Sequence, residues 1–192
     1  MGMSDDKGLF WNSQGGDRLY DADSFEKWIK KFFTTGVFSG DLEVTAGAGM
    51  SVSMAPGYVN INGKIKLFED DTDFTLSMAD GTNPRIDTVV IERNDDNREI
   101  AAKIVTGTPA AEPTPTAPVR TTTIYQLVVA QIYVAAGATS ITDANITRKV
   151  DDNSVCGVVT GTVANNQLSY GDTDLTAGES ELADGTFYFK YE

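Results

Sequence analysis

The pattern of hydrophobic and polar positions changes its period once, near residue 36. Within residues 21–36, five apolar side chains recur at helical spacing and would share one face of an α-helix: Phe25, Trp28, Ile29, Phe32 and Phe33. Asp23 and Glu26 have the spacing of a capping box at the start of this helix, and Gly36 suits its C-terminal end. Because a stripe of this kind on a short helix usually packs on the core, we predict that the helix buries its aromatic side chains.

After residue 36 the apolar residues alternate with polar ones, which is typical of strands with one buried face. The alternating runs cover residues 42–44, 50–54, 58–61, 65–67, 74–78, 86–92 and 99–105. Asn62-Gly63 lies between two of these runs and predicts a tight β-hairpin, and residues 94–97 predict a second one.

Two later segments complete the predicted fold. Residues 106–123 hold four of the six prolines, which predicts a long loop without regular structure. Residues 124–135 are apolar on both alternating sets, which predicts a strand buried on both faces. We therefore predict a mainly β, β-sandwich-like fold with one N-terminal amphipathic α-helix and a small C-terminal β unit.

The two ends of the chain differ from its middle. Residues 1–20 are rich in glycine and polar residues and predict an extended arm, which carries the apolar run Leu9, Phe10 and Trp11. Residues 21–157 predict a helix plus a β-sandwich-like attachment domain. Residues 158–192 predict a small β or oligomerisation tail that closes with a strand at 186–191. Six side chains of the arm and this strand are candidate interface residues: Leu9, Phe10, Trp11, Phe187, Tyr188 and Phe189. We expect the arm to dock either on its own domain or on another chain, and docking on its own domain is favoured.

Composition and charge exclude several classes of function. The 192 residues include 28 acidic and 15 basic side chains, so a net charge of −13 argues against binding to nucleic acid. The absence of histidine excludes Ser-His-Asp and Cys-His catalysis, and a single cysteine excludes an internal disulfide. No signal peptide is recognisable, and no apolar run approaches the ~20 residues that insert into a membrane.

The candidate chemistry is limited to acidic pairs and a few charged neighbours. Acidic pairs at residues 70–73, 95–96, 151–152 and 172–174 are interpreted as solvated turns, so we expect no cofactor. A structural Ca²⁺ ion or an acid–base hydrolytic pair is the alternative interpretation. Cys156 is predicted to be a small buried side chain. Arg85 with Asp87, and Arg148 with Asp151, are predicted to form ion pairs that pin the ends of strands.

Several segments resemble the N-terminal-domain type of baseplate and tail-fibre structural proteins of bacteriophages and prophages. They include GDRLYDADSF at 16–25, GYVNING at 57–63, PRIDTVV at 84–90 and ITDANIT at 141–147. The resemblance covers residues 8–160 and implies a non-enzymatic virion protein that acts in assembly or host attachment. It also implies homo-oligomers, often trimers, that contact other tail or baseplate proteins. The expected location is the virion tail or baseplate, and the host cytoplasm during assembly.

A carbohydrate-binding or adhesin module is the alternative to a structural virion protein. Trp11, Tyr58, Tyr125 and Tyr170 would then stack on saccharides of the host cell wall. A hydrolase that uses the acidic pairs is a third hypothesis.

Overall fold

The computed structural model of the protein describes residues 22–161 and the backbones of residues 168–171 and 187–190. The chain divides into two compact units, Met1–Thr160 and Gly161–Glu192. The predicted arm, with Leu9, Phe10 and Trp11, lies outside the described residues, so its role as an interface stays a prediction.

The helix α1 spans Ala22–Phe32 and is shorter than the predicted segment. Asp23 lies in its first turn rather than at its N-cap, so the predicted capping box is wrong. Gly36 begins a strand instead of ending the helix. The cause is tertiary pairing, because the N–H of Thr34 donates to the carbonyl of Thr160 and that of Val37 donates to the carbonyl of Gly157.

Ten strands of the first unit form three antiparallel sheets. One has the order β1-β4-β5 and contains β1 (Gly36–Val37), β4 (Gly57–Ile61) and β5 (Lys64–Phe68). Another has the order β2-β3-β6 and contains β2 (Val44–Ala46), β3 (Ser51–Met54) and β6 (Thr72–Thr75). The largest has the order β10-β9-β7-β8 and contains β7 (Arg85–Asn94), β8 (Glu99–Val105), β9 (Ile124–Val134) and β10 (Ile146–Arg148). The predicted mainly β fold with one helix is confirmed.

Both predicted hairpins are present. Asn62 and Gly63 connect β4 to β5 with φ angles of 50° and 80°, the left-handed conformation that Asn-Gly supplies in a two-residue turn. The second hairpin joins β7 to β8, with Asn94 registered opposite Glu99. A 3₁₀ turn at Asp143–Asn145 leads into β10.

The core lies between these sheets and receives aliphatic side chains from each of them. Its largest fully buried members are Leu42, Met54, Ile61, Ile91, Leu127 and Ile132. Residues 127–130 of β9 are all buried, as a strand covered on both faces requires. The proline-rich segment 106–123 forms no helix or strand, as predicted, and Gln126 holds it by exchanging hydrogen bonds with the backbone of Val119.

In the second unit, β11 (Leu168–Gly171) pairs in parallel with β12 (Phe187–Lys190). The predicted closing strand is therefore present in the backbone. The side chains of Phe187, Tyr188 and Phe189 lie outside the described part, so their role at an interface remains a prediction.

Candidate interaction surface

The aromatic stripe of α1 faces outward, which contradicts the prediction that it packs on the core. Phe25, Trp28, Phe32 and Phe33 are each between 40% and 47% exposed. The rings of Trp28 and Phe32 lie 4.9 Å apart between centroids and form one continuous aromatic surface. The buried residue of the helix is the small polar Ser24.

The polar side of α1 faces the sheets instead, and Glu26 is its centre. The Glu26 carboxylate accepts a hydrogen bond from Lys30 at 2.6 Å and forms ion pairs with Lys64 at 2.6 Å and Arg93 at 3.5 Å. Partial burial raises the pKa of Glu26, but the hydrogen bonds of the two lysines and the charge of Arg93 outweigh it and lower the pKa to about 2. The helix is therefore held by charged contacts, and the aromatic side chains of the stripe stay partly exposed.

Arg93 connects three parts of the fold at this point. Its Nε and Nη2 atoms each donate to Asp95 at 2.7 Å, and its Nη1 atom lies 3.4 Å from the carbonyl oxygen of Ile61. The hydrogen bond to Asp95 is the main reason that the pKa of Arg93 is raised. Arg93 thus ties α1 and the β4–β5 turn to the β7–β8 hairpin.

A trough, defined here as the groove between β5 and β8, begins at the first turn of α1. Its first part is a cleft of about 730 Å³ whose walls include Ala22, Glu26, Ile65, Arg98 and Ile100. The second part, about 610 Å³, continues along β5 and β8 to the acidic loop at residues 69–71. Lys66, Glu99 and Ile100 line both parts, which makes the trough continuous. Both strands are sheet edges, since the described part of the chain pairs each on one side only.

Arg85 and Asp87 form the predicted ion pair, and it is fully buried. The Arg85 Nε atom donates to Asp87 at 2.9 Å, while its two terminal nitrogens donate to the carbonyl oxygens of Ser77 and Met78. The N–H of Gly107 donates to the same carboxylate at 2.8 Å. This pair joins two loops to the start of β7, which is a structural role.

The other predicted pair, Arg148 with Asp151, is confirmed at 3.6 Å on the surface. Of the acidic pair at 70–73, Asp70 and Asp71 lie in a loop as predicted, whereas Asp73 lies in strand β6. Asp70, Asp71 and Asp73 are exposed, and within residues 22–161 no three acidic or cysteine side chains are placed to hold a metal ion. The pair at 172–174 lies outside the described residues.

Cys156 is buried, as predicted, and burial is the main reason that the pKa of its thiol is raised to about 12. The side chains of two of the tyrosines proposed to stack on saccharides are described, whereas those of Trp11 and Tyr170 lie outside the described part. Tyr58 is exposed and lies edge-on to Phe38, with 5.9 Å between ring centroids. The guanidinium of Arg120 covers one face of the half-buried Tyr125 at 5.1 Å.

Neither the Glu26 cluster nor the trough follows from a pattern in the sequence. The spacing of Glu26 predicts only a capping box, and no spacing in the sequence connects it with Arg93, 67 residues away.

No family model, curated protein or solved structure matches this chain. Of the helices in the described part, none is long and apolar enough to cross a membrane.

Proposed function

We propose that this chain is a non-enzymatic structural protein of a bacteriophage or prophage tail or baseplate, acting in virion assembly or host attachment. The observation that supports it is the outward aromatic stripe of α1, defined by Phe25, Trp28, Phe32 and Phe33. The class of protein is inferred from the ordered segments that resemble phage tail proteins. The stripe supplies a means of docking onto copies of the chain and onto neighbouring tail proteins.

The composition of the stripe fits a protein interface. Aromatic side chains contribute most of the energy at many interfaces, because each buries a large area at a small cost in conformational entropy. Contiguous apolar patches are uncommon on the surface of monomeric proteins. Three large aromatic side chains on an 11-residue helix, with Phe33 directly after it, make such a patch.

The helix is also held in a fixed position before any partner binds. Glu26 is joined to Lys64 and Arg93, which belong to two different sheets. A surface fixed in this way loses little conformational entropy on docking, which strengthens binding. The proposed assembly is a homo-oligomer, with a trimer favoured by the resemblance, and the proposed location is the virion tail or baseplate.

The test is the solution mass of the full chain by size-exclusion chromatography with light scattering. We expect an oligomer for the wild-type chain and a shift toward monomer for Phe32→Ser combined with Phe33→Ser. Met78→Ser is the matched control, because Met78 is the most exposed apolar side chain outside the stripe, at 88%. A wild-type monomer at all concentrations, with no binding to tail proteins of the same phage, would contradict the proposal.

A carbohydrate-binding or adhesin role is the second candidate. The exposed Tyr58, supported edge-on by Phe38, offers a ring face on which a sugar could stack. Binding to cell-wall saccharides that is lost in Tyr58→Ala and unchanged in the stripe variant would favour this role.

A further inference from the structure

The trough is lined by the outer edge of β8, where backbone N–H and C=O groups point into solvent. The direction follows from hydrogen bonds on β9. The N–H of Gln126 donates to the carbonyl of Val119, away from β7. Because backbone groups alternate along a strand, the neighbouring Leu127 bonds toward β7, where it is registered with Ile91.

The alternation continues through β7 into β8. Ile91 bonds to β9, so Glu92 bonds to β8, where it is registered with Ala101. The backbone groups of Ile100 and Ala102 therefore point away from β7, and both residues line the trough. Within residues 22–161, no backbone group bonds to either of them on that side. An extended chain in the trough could pair with these groups as an added strand.

We propose that the trough binds the N-terminal arm, residues 1–20, of a second copy of this chain as a strand added to β8. The inference rests on the proposed function, since it names the partner and the mode of that self-association. Leu9, Phe10 and Trp11, which are candidate interface residues from the sequence, would then contact the trough of the second copy.

The start of the described chain favours this occupant. Residue 22, where the arm joins α1, itself lines one end of the trough. The arm therefore starts at one end of the trough of its own copy, and its length decides whether it can reach the trough of a neighbour. An extended arm of 20 residues reaches about 65 Å, whereas a domain of 160 residues is about 40 Å across. The arm is thus long enough to cross from one copy into the next.

The walls of the trough suit such a strand. Ile65 on β5 and Ile100 on β8 give apolar contacts for the alternating side chains on one face of the strand. The same cleft is lined by four basic and four acidic side chains. The arm likewise carries both signs of charge, with three acidic and two basic residues among positions 1–20.

The first test compares two substitutions at one backbone position. Ala102→Pro removes the outward N–H donor and leaves the bonds to β7, since proline is tolerated on edge strands when its nitrogen faces solvent. Ala102→Thr keeps the donor and is the matched control. We expect Ala102→Pro to weaken self-association ~10-fold or more and Ala102→Thr to change it by less than ~2-fold. An arm variant, Phe10→Asp with Trp11→Asp, should weaken it to the same degree.

Mixing the two impaired chains tests whether the arm crosses between copies. The Ala102→Pro chain keeps a working arm and the arm variant keeps a working trough, so the mixture should form two-chain species that neither forms alone. If Ala102→Pro fails to fold, oxidation of a mixture of Trp11→Cys and Lys66→Cys chains replaces it, because the native Cys156 is buried. We then expect a mixed disulfide-linked dimer.

Three results would overturn the inference. They are wild-type association in a folded Ala102→Pro chain, a mixture without two-chain species, and a cysteine mixture without cross-linking. In each case an oligomer that still depends on the stripe of α1 would leave the proposed function standing. A wild-type chain that never associates would overturn both.

Discussion

Glu26 of α1 and Arg93 of β7 lie 3.5 Å apart, and their contact turns the polar side of the helix toward the sheets. The aromatic stripe points outward as a consequence.

We expect Glu26→Gln to lower the free energy of unfolding by about 1–3 kcal/mol, because Lys64 and Arg93 lose a charged partner at a site that is largely buried. Chemical denaturation measures this. Lys30→Ala is the control and should cost at most about 1 kcal/mol, since Lys30 is largely exposed.

The same carboxylate makes stability depend on pH in acid. Its pKa is about 2 in the folded protein, below the ordinary value of 4.5. A lowered carboxyl pKa contributes stability that is complete above the unfolded pKa and is lost as the pH falls through the folded pKa. We expect the stability advantage of the wild-type chain over Glu26→Gln to shrink between pH 4.5 and pH 2. Melting curves of both chains across that window would show it, and a difference that stays constant would contradict the role given to Glu26.

The buried pair of Arg85 and Asp87 should matter more than any ion pair on the surface. Arg85→Met leaves the Asp87 carboxylate buried without its cation and frees the carbonyls of Ser77 and Met78. We expect a loss of about 3–5 kcal/mol in urea unfolding. Arg148→Met, which removes two contacts of 3.6 Å at the surface, should change stability by less than about 1 kcal/mol. Equal effects of the two substitutions would refute the structural role of Arg85.

Gly63 is required where the β4–β5 turn touches α1. It has a φ of 80°, and a Cβ atom there would lie 2.4 Å from the carbonyl oxygen of Glu26. We expect Gly63→Ala to destabilise the protein by about 1–3 kcal/mol, from backbone strain and from displacement of the helix. Gly81→Ala is the matched control, because a Cβ atom there meets nothing within 4 Å. Thermal unfolding of the two variants makes the comparison.

The single cysteine should be inert in the folded protein. Burial raises the pKa of the Cys156 thiol to about 12, so almost no thiolate forms at pH 8. We expect a thiol reagent to label the wild-type chain only after denaturation, whereas Met78→Cys should react at once because position 78 is exposed. Rapid labelling of the native wild-type chain would show that Cys156 is accessible.

The strands were predictable because local chemistry defines them. Asn62-Gly63 fixes a two-residue turn, and the apolar residues on both faces of β9 match the burial of residues 127–130. The ends of α1 were less predictable. Residues 34–37 continue the chain beyond the helix because they bond to residues 157–160, which are at least 120 residues away in sequence.

The direction of the aromatic stripe could not be derived from its spacing. A helical period shows that Phe25, Trp28 and Phe32 share a face, but it does not show what covers that face. Here the contacts of Glu26 with Lys64 and Arg93 decide the orientation, and all three residues come from separate elements. The trough could not be predicted from the sequence for a similar reason, since it is formed by edges of two different sheets.

The most direct test of the outward stripe is the fluorescence of Trp28 during self-association. The chain has two tryptophans, so Trp11→Phe leaves Trp28 as the only one. In dilute, dissociated protein we expect emission at long wavelength and efficient quenching by acrylamide, because Trp28 is 42% exposed. As the concentration rises and the mass measured by light scattering increases, the emission should shift to shorter wavelength and the quenching should fall. Association that leaves both signals unchanged would contradict the claim that the stripe of α1 is the docking surface.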